Sequence, residues 1–315
     1  MKKIIILGST GFIGKNLTNY FSKKKNFRVF AVYNKRKPWK NKKVNFIKAD
    51  LRNKSDVDKV LRGKDVVIQA AATTSGSKDI VKKPYIHVTD NAVINSYILR
   101  SSYENANKFF IFLSCSIMYH SSNKPISEDS LDLNKNPYPS YFGGAWMKIF
   151  VEKCCEFYSK FKRTKYLVIR HSNIYGPHDK YDLDKSHVFG ATITKVMKAK
   201  NKIEVWGHGN EKRDFLFIDD LINFIDIAIK KQKSYFELVN VSYGKSISIK
   251  EIVKKIIKVS NKKIKIVYNK SKPNIKTNIS LSNNKVRKNF NWKPKTKIEI
   301  GIKKTIDWYL KNYKI

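Results

Sequence analysis

Gly8-Ser-Thr-Gly11-Phe-Ile-Gly14 is the stretch whose residue types and spacing point most directly to chemistry. It follows an apolar run at residues 1–7 and opens a segment of helical spacing through Ile13, Leu17, Tyr20 and Phe21. Glycines at such a junction let backbone amides approach a pyrophosphate, and a helix N-terminus adds roughly half a positive charge. The spacing is G-x-x-G-x-x-G, one residue longer in its first gap than G-x-G-x-x-G. The next apolar run ends in Asn34-Lys35-Arg36, with no acid to hold a ribose 2′-hydroxyl. Lys35 and Arg36 suit a 2′-phosphate instead, so NADP is expected over NAD. Asp50 is placed to accept from an adenine amine, and Ala70-Ala71-Ala72 offers small side chains where a cofactor would lie against a sheet.

These residues need elements to hold them. Short apolar runs at 1–7, Arg28–Tyr33, Val44–Lys48, Asp65–Ala71, Phe109–Ser114 and Lys165–Arg170 read as strands. Helical spacing follows Gly14 and recurs at Ser55–Arg62, with Ser55 as its cap, at Thr89–Asn105 and at Tyr141–Lys162. Strands apolar on both faces that alternate with helices imply a doubly wound, Rossmann-like parallel sheet of the α/β class. After Arg170 the pattern breaks into loops and helices at 187–200, 219–232, 248–260 and 298–312. Residues 1–170, with 214–242 returning to them, are expected to form a dinucleotide-binding domain. Residues 171–213 and 243–315 are expected to form a smaller C-terminal substrate-binding lobe.

Composition narrows the class. The chain has 315 residues and is 42% hydrophobic and 13% aromatic, enough for a packed core and unlike a disordered tail or coiled coil. No apolar run approaches the roughly 18 residues of a membrane span, and the first is too short for a signal-peptide core. Cys115, Cys154 and Cys155 are too few and too clustered for a disulfide framework or a zinc ribbon, so a reduced cytoplasmic protein without metal is expected. The net charge of +40 raises nucleic acid as a partner. Only nine of the 65 basic residues are arginine, and the lysines are spread along the chain, which fits a compositional bias better than a nucleic-acid reader. A basic surface still favours an anionic small ligand.

Taken together, the chain resembles the extended short-chain dehydrogenase/reductase superfamily of nucleotide-sugar epimerases, dehydratases and reductases. The C-terminal half is most similar to the GDP-L-fucose synthase-like group. That likeness rests on Arg170-His-Ser-Asn-Ile-Tyr-Gly-Pro-His-Asp179, Ser186-His187-Val188 and the helix reaching Lys195. It also rests on Trp206 through Arg213-Asp214-Phe215, ending in Asp219-Asp220, and on the tail from Lys272-Pro273 to Trp292-Lys293-Pro294. The resemblance implies a cofactor lying along Gly8, Thr10, Gly11, Phe12, Ile13 and Gly14, then Asn34, Lys35, Arg36, Asp50, Leu51 and Ala70 to Ala72, and finally Lys148, His171, Asn173 and Ile174. It implies a sugar nucleotide held by Asn173, His187, Lys195, Trp206, Arg213 and Lys272. Arg213 and Lys195 would grip its pyrophosphate, and His187 would act as acid or base. His178 and His208 read as loop residues. The family's pairing of the helices at 89–105 and 141–162 implies a homodimer.

The resemblance breaks at the catalytic centre. The superfamily uses Tyr-x-x-x-Lys, in which one helical turn sets phenol and ammonium on one face. Lys148 fits the lysine, but the residue four before it is Gly144. Tyr141 lies seven residues before Lys148, two turns and about 10.5 Å along a regular helix. Gly143-Gly144 suggests that the helix is not yet regular there, which would let Tyr141 bend into the vacancy. The family's Ser or Thr, four residues before Tyr119, is Cys115, with Ser114 or Ser116 as possible substitutes. Its cysteine base, two before that tyrosine, is Ile117, and Cys115 points to the same face. The acidic pair of dehydratases is Ser116-Ile117, against a 4,6-dehydratase mechanism. Cys154 and Cys155 read as structural.

The expected function is an NAD(P)-dependent epimerase or reductase of a GDP- or dTDP-linked 4-keto-6-deoxyhexose, with hydride transfer at sugar C4 and with Lys148, Tyr141, Ser116, Cys115 and His187 as catalytic candidates. The alternatives are a nucleotide-sugar 4-epimerase with retained cofactor and a redox-inactive dinucleotide-binding protein.

Overall fold

The computed structural model describes residues 1–73, 84–183, 186–271 and 277–314. Its centre is a sheet of seven strands, all parallel, in the order β10-β6-β5-β4-β1-β2-β3. These are β1 (Lys2–Leu7), β2 (Phe27–Tyr33), β3 (Val44–Lys48), β4 (Val66–Gln69), β5 (Phe109–Leu113), β6 (Lys165–His171) and β10 (Phe236–Val241). The order reverses direction between β1 and β4, the switch point at which open α/β sheets form a crevice at the carboxyl ends of their strands.

Alternation along β1 shows how the core is divided. Ile4 and Ile6 face a core that contains Leu17 and Phe21 of α1 (Phe12–Phe21) and Phe224 of α6 (Ile218–Lys231). Ile5 and Leu7 face another, with Val57 and Val60 of α2 (Lys54–Leu61), Ile98 of α3 (Pro84–Glu104) and Val151 and Cys155 of α4 (Phe142–Ser159). All four β1 side chains are fully buried, and each contributes about 1.5–3 kcal/mol by leaving water. The period of two along the strand puts both helical layers against one ribbon.

The boundaries depart from the sequence reading at their ends. The cap of α2 is Asn53, whose side chain accepts from the Ser55 amide; Ser55 is not the cap. The helix at Lys148 is regular from Phe142, so Gly143 and Gly144 lie inside its first turn, contrary to expectation. Tyr141 precedes it, at the end of a 3₁₀ turn at Pro139–Tyr141.

The remaining strands are smaller. β9 (Lys212–Phe217) pairs with β7 (Asn173–Tyr175), β11 (Ser246–Ser248) and β13 (Asn278–Ile279), while β8 (Lys202–Trp206) pairs with β12 (Lys265–Asn269). Helices α5 (Val188–Lys198), α7 (Ile249–Val259), α8 (Asn284–Phe290) and α9 (Ile298–Asn312) complete the chain. Among the described residues no helix is long and apolar enough to cross a membrane.

Candidate active site

The glycine turn is built by close approach. Gly8 has φ +76°, and a Cβ there would stand 2.6 Å from the Ala71 Cα. A Cβ on Gly14 would overlap the Gly8 carbonyl. Gly11 caps α1 without a side-chain hydrogen bond, and no acid stands in the first turn. Its amides therefore meet no side-chain cap there, which fits an anionic diphosphate. Ser9 fastens the turn to β2, its amide and hydroxyl both donating to the Val32 carbonyl (2.8 and 2.9 Å). Phe12 and Ile13 are half-buried and pack against the α1-side core, as does Ala70. Ala71 is half-buried and Ala72 exposed.

At the adenosine end, Asn34, Lys35 and Arg36 are exposed, and Arg36 donates to the Thr10 carbonyl at 3.2 Å. Asp50 accepts from the Arg52 guanidinium at 3.1 and 2.7 Å, which holds its carboxyl down at about 2. An adenine amine would share that carboxylate with Arg52. The Leu51 side chain is buried in the α2-side core beside Val57 and Val60 and is not turned to a ligand, so only its backbone can serve one.

At the other end, Lys148 donates to the Leu113 carbonyl at 2.8 Å and stands 4.6 Å over the Phe112 ring. Burial lowers its ammonium, with the Cys115 thiol and Glu152 opposing that shift. Burial raises the Cys115 thiol, and Lys148 opposes it. Burial also raises the Tyr141 phenol, which feels the Arg213 guanidinium pulling it down and the Cys115 sulfur pushing it up. His171, whose Nδ1 is 2.7 Å from the Ser172 carbonyl, is held down at about 4 by burial and then by the charges of Lys148 and His187. His187 stands at the N-cap position of α5 without a side-chain capping bond, and burial lowers its imidazole as well. These side chains therefore influence one another in turn: Arg213 and Cys115 act on Tyr141, Cys115 and Lys148 on each other, and Lys148 and His187 on His171.

Gly144 and Gly143 differ. A Cβ on Gly143 would come 2.6 Å from the Val88 Cγ2 of α3, so the helix pair requires glycine there. A Cβ on Gly144 would meet only the Ile117 Cδ1 at 3.5 Å, an ordinary contact. The family's phenol position is bare but not filled.

The other predicted contacts are mixed. Asn173 donates to the Asp214 carbonyl at 3.2 Å, tying the start of β7 to β9; Ile174 follows it, half-buried. Arg213 donates to the Thr277 carbonyl at 2.7 Å. Lys195 donates to the Glu204 carbonyl at 3.0 Å and lies 5.6 Å over the Trp206 ring, so these two substrate candidates form a unit of their own. Lys272 lies outside the described residues. Ser116 is half-buried. Ser114 is buried and commits its hydroxyl to Glu152 at 2.5 Å, which removes it as a substitute donor.

That last bond belongs to a network not singled out from the sequence. Glu152, one turn after Lys148, pairs with Arg170 at 2.6 Å, both nearly fully buried. Arg170 also donates to the Tyr119 hydroxyl at 2.8 Å, which in turn donates to Asn240 at 3.0 Å. Asn240 donates its amide to Glu128 at 2.7 Å. The network joins β5, β6 and β10 beneath the crevice. Its one sequence signal was the turn spacing of Glu152 from Lys148.

The family described as NAD dependent epimerase/dehydratase matches residues 4–242. GDP-L-colitose synthase of Yersinia pseudotuberculosis is 28% identical over 316 residues, 98% of each chain. GDP-L-fucose synthase of Sinorhizobium fredii is 30% identical over 272 residues, 84% of this chain and 86% of its own. Among solved structures, UDP-glucose 4-epimerase of Thermotoga maritima with UDP-glucose superposes with a TM-score of 0.87 at 21% identity, covering 98% of this chain and 99% of its own, a likeness of fold. UDP-glucuronic acid 4-epimerase of Bacillus cereus, in complex with UDP-glucuronic acid and NAD, gives 0.85 at 25% identity, covering 99% of this chain and 100% of its own.

Proposed function

We propose that this chain, which belongs to the NAD dependent epimerase/dehydratase family, is an NADP-dependent nucleotide-sugar epimerase or reductase, with NAD as the second choice of cofactor. Its substrate is a GDP- or dTDP-linked 4-keto-6-deoxyhexose, and hydride passes between the cofactor and sugar C4. The synthases named above support a nucleotide-sugar substrate, and the Bacillus cereus complex supports a nicotinamide dinucleotide. In this reading Arg213 and Lys195 hold the diphosphate of the substrate.

The observation that carries the reading is the position of Tyr141. Its phenol feels both Arg213 and Cys115, as expected of a group between the substrate's diphosphate and Gly144, where a side chain would make only an ordinary contact. In this reading Tyr141 exchanges a proton with the sugar oxygen at C4. Lys148, anchored on the Leu113 carbonyl, holds the cofactor ribose and supplies positive charge near the reacting oxygen. His187, kept neutral by burial, serves as base at the carbon next to the keto group, with Ser116 or Cys115 beside it. The protein works in the cytoplasm and as a homodimer, the dimer supported by the exposed Phe142, Phe150 and Phe157 of α4 and by Phe161 just after it.

The test is NADPH consumption with a panel of nucleotide sugars, run with Tyr141→Phe and Gly144→Tyr. We expect turnover with the 4-keto-6-deoxyhexose substrates and a loss of about 100-fold or more in Tyr141→Phe. Full turnover in that variant rules Tyr141 out as the proton donor. A second reading, a redox-inactive dinucleotide-binding protein, is favoured by the bare Gly144. It prevails if the parent is inert and Gly144→Tyr gains activity.

A further inference from the structure

The reading above leaves Asp214 without a role, although it stands in β9 directly after Arg213. Its side chain is buried, and among the described residues it is paired with no cation. One carboxyl oxygen accepts the Tyr243 amide at 2.9 Å, and the other accepts the amides of Gly244 at 3.0 Å and Leu281 at 3.3 Å. Burial lifts the carboxyl to about 6, while those three amides pull it down. All three partners are backbone N–H groups, which only donate. An amide side chain in that place would offer one accepting oxygen and turn two further donors toward them, so an acid suits the position. A carboxylate taken out of water without a counter-charge is costly, and the segments that Asp214 joins show what it secures.

Those segments meet at Arg213. Strand β9 pairs with β7, β11 and β13, and its successive side chains point to opposite faces, so Asp214 turns away from the face on which Arg213 lies. Arg213 donates to the Thr277 carbonyl at 2.7 Å. Thr277 directly precedes β13 and also accepts the Lys212 amide at 3.1 Å. Two residues beyond the end of β13 comes Leu281, whose amide Asp214 holds. The carboxylate therefore fixes the far end of a short segment whose near end takes the guanidinium. Tyr243 and Gly244 follow β10, and Ser242 beside them donates its hydroxyl to the Leu281 carbonyl at 2.9 Å. Asp214 thus ties that segment to the edge strand of the main sheet. Its own carbonyl accepts from Asn173 of β7 at 3.2 Å.

We propose that Asp214 is the positioning residue for the substrate's diphosphate: it holds residues 277–281 and the end of β10 in one register and thereby aims Arg213. The inference rests on the reading of Arg213 as a ligand of that diphosphate. The two parallel donors of a guanidinium match phosphate oxygens only in a narrow orientation. A supporting carbonyl displaced by about 1 Å is enough to spoil such a contact.

Calorimetric titration of the whole chain with GDP, dTDP and NADP⁺ tests it. For the nucleoside diphosphate that the parent binds more tightly, Arg213→Met and Asp214→Asn should each lose about tenfold in affinity. The double variant should lose no more than about twofold beyond Arg213→Met, because Asp214 acts through the guanidinium. NADP⁺ affinity should stay within about twofold in all three. Losses that add, or an Asp214→Asn chain that keeps the parent's affinity, overturn the proposal. A fall in NADP⁺ affinity as large as that for the diphosphate marks Asp214 as general scaffold and overturns it too. Hydrogen exchange in the parent covers the case in which Asp214→Asn does not fold. Saturation with the same diphosphate should slow the amides of Tyr243, Gly244 and Leu281 about fivefold or more, and exchange there that is indifferent to it overturns the proposal. A parent that binds neither GDP nor dTDP overturns the reading of Arg213 itself, an outcome visible before any variant is compared.

Discussion

At the end of the site proposed for the dinucleotide, the groups that would meet a ligand are backbone amides within a single turn, residues 8–14. At the end proposed for proton transfer they are side chains from separate stretches: Cys115 after β5, Tyr141 and Lys148 around the start of α4, His171 at the end of β6, and His187 before α5. A site made of amides depends on glycines and on the strand beside them, and it tolerates change elsewhere. A site made of side chains depends on everything that aims them. In this chain that includes a buried ion pair of Glu152 with Arg170 lying under the crevice. The first end keeps its three glycines, whereas the second has Gly144, Cys115 and Ile117 where the resembled family carries reactive groups.

Three measurements press on that difference. The largest effect is expected from Glu152→Gln, which leaves the Arg170 guanidinium buried without its counter-charge. Urea unfolding should show a loss of about 3–5 kcal/mol. Below the midpoint of unfolding, NADP⁺ affinity should stay within about twofold. A large fall in affinity would mean that the two ends are mechanically one.

The next concerns His171. Its folded value of about 4 lies below the ordinary 6.5. The unfolded chain therefore takes up that proton first as the pH falls. The stability from keeping the ring neutral is full above about 6.5 and is lost as the pH falls toward about 4, a contribution of about 3 kcal/mol. Asp179 and Asp214, raised to about 7 and about 6, act with the opposite sign. The informative quantity is thus the parent minus His171→Gln, followed by urea midpoints from pH 7 to pH 4. A difference that does not shrink on acidification would show that His171 is not held neutral by the fold.

The smallest effect separates two glycines of the same turn. Gly14→Ala sets a methyl group against the Gly8 carbonyl and should cost about 1–3 kcal/mol together with most of the dinucleotide affinity. Gly11→Ala meets only that carbonyl, at 3.3 Å, and should cost less in stability. Equal losses would show that the turn is not held by close approach at Gly14.

The legible parts of the fold were those with local causes. Runs such as Ile4 to Leu7 and Phe109 to Leu113 are apolar at every position because both faces of the sheet are covered, and this pattern marks parallel strands without knowledge of their neighbours. The glycine turn was legible for the same reason, since its spacing reflects contacts among adjacent residues. None of the strands after β6 was recognised, neither β10, the edge strand of the main sheet, nor the short β7, β8, β9, β11, β12 and β13. Alternating and partly exposed, β8 and β12 gain their pairing only from each other, more than fifty residues apart in the chain. Ser114 seemed an available hydroxyl until Glu152 was seen to occupy it. Lys35 and Arg36 are adjacent in sequence, yet only Arg36 lines a cavity beside the glycine turn, together with Lys15 of α1.

From the sequence alone came the class of fold, the glycine turn and the absence of the usual phenol four residues before Lys148, because each depends on residue type at short separation. The arrangement of Tyr141, Arg213, Cys115 and the two histidines was decided by the tertiary structure. Whether a phenol can replace one lost from a neighbouring turn depends on which charges face it across the crevice, and those come from β9 and from the end of β5. Electrostatic reach is set by distance in space, and spacing along the chain does not encode it.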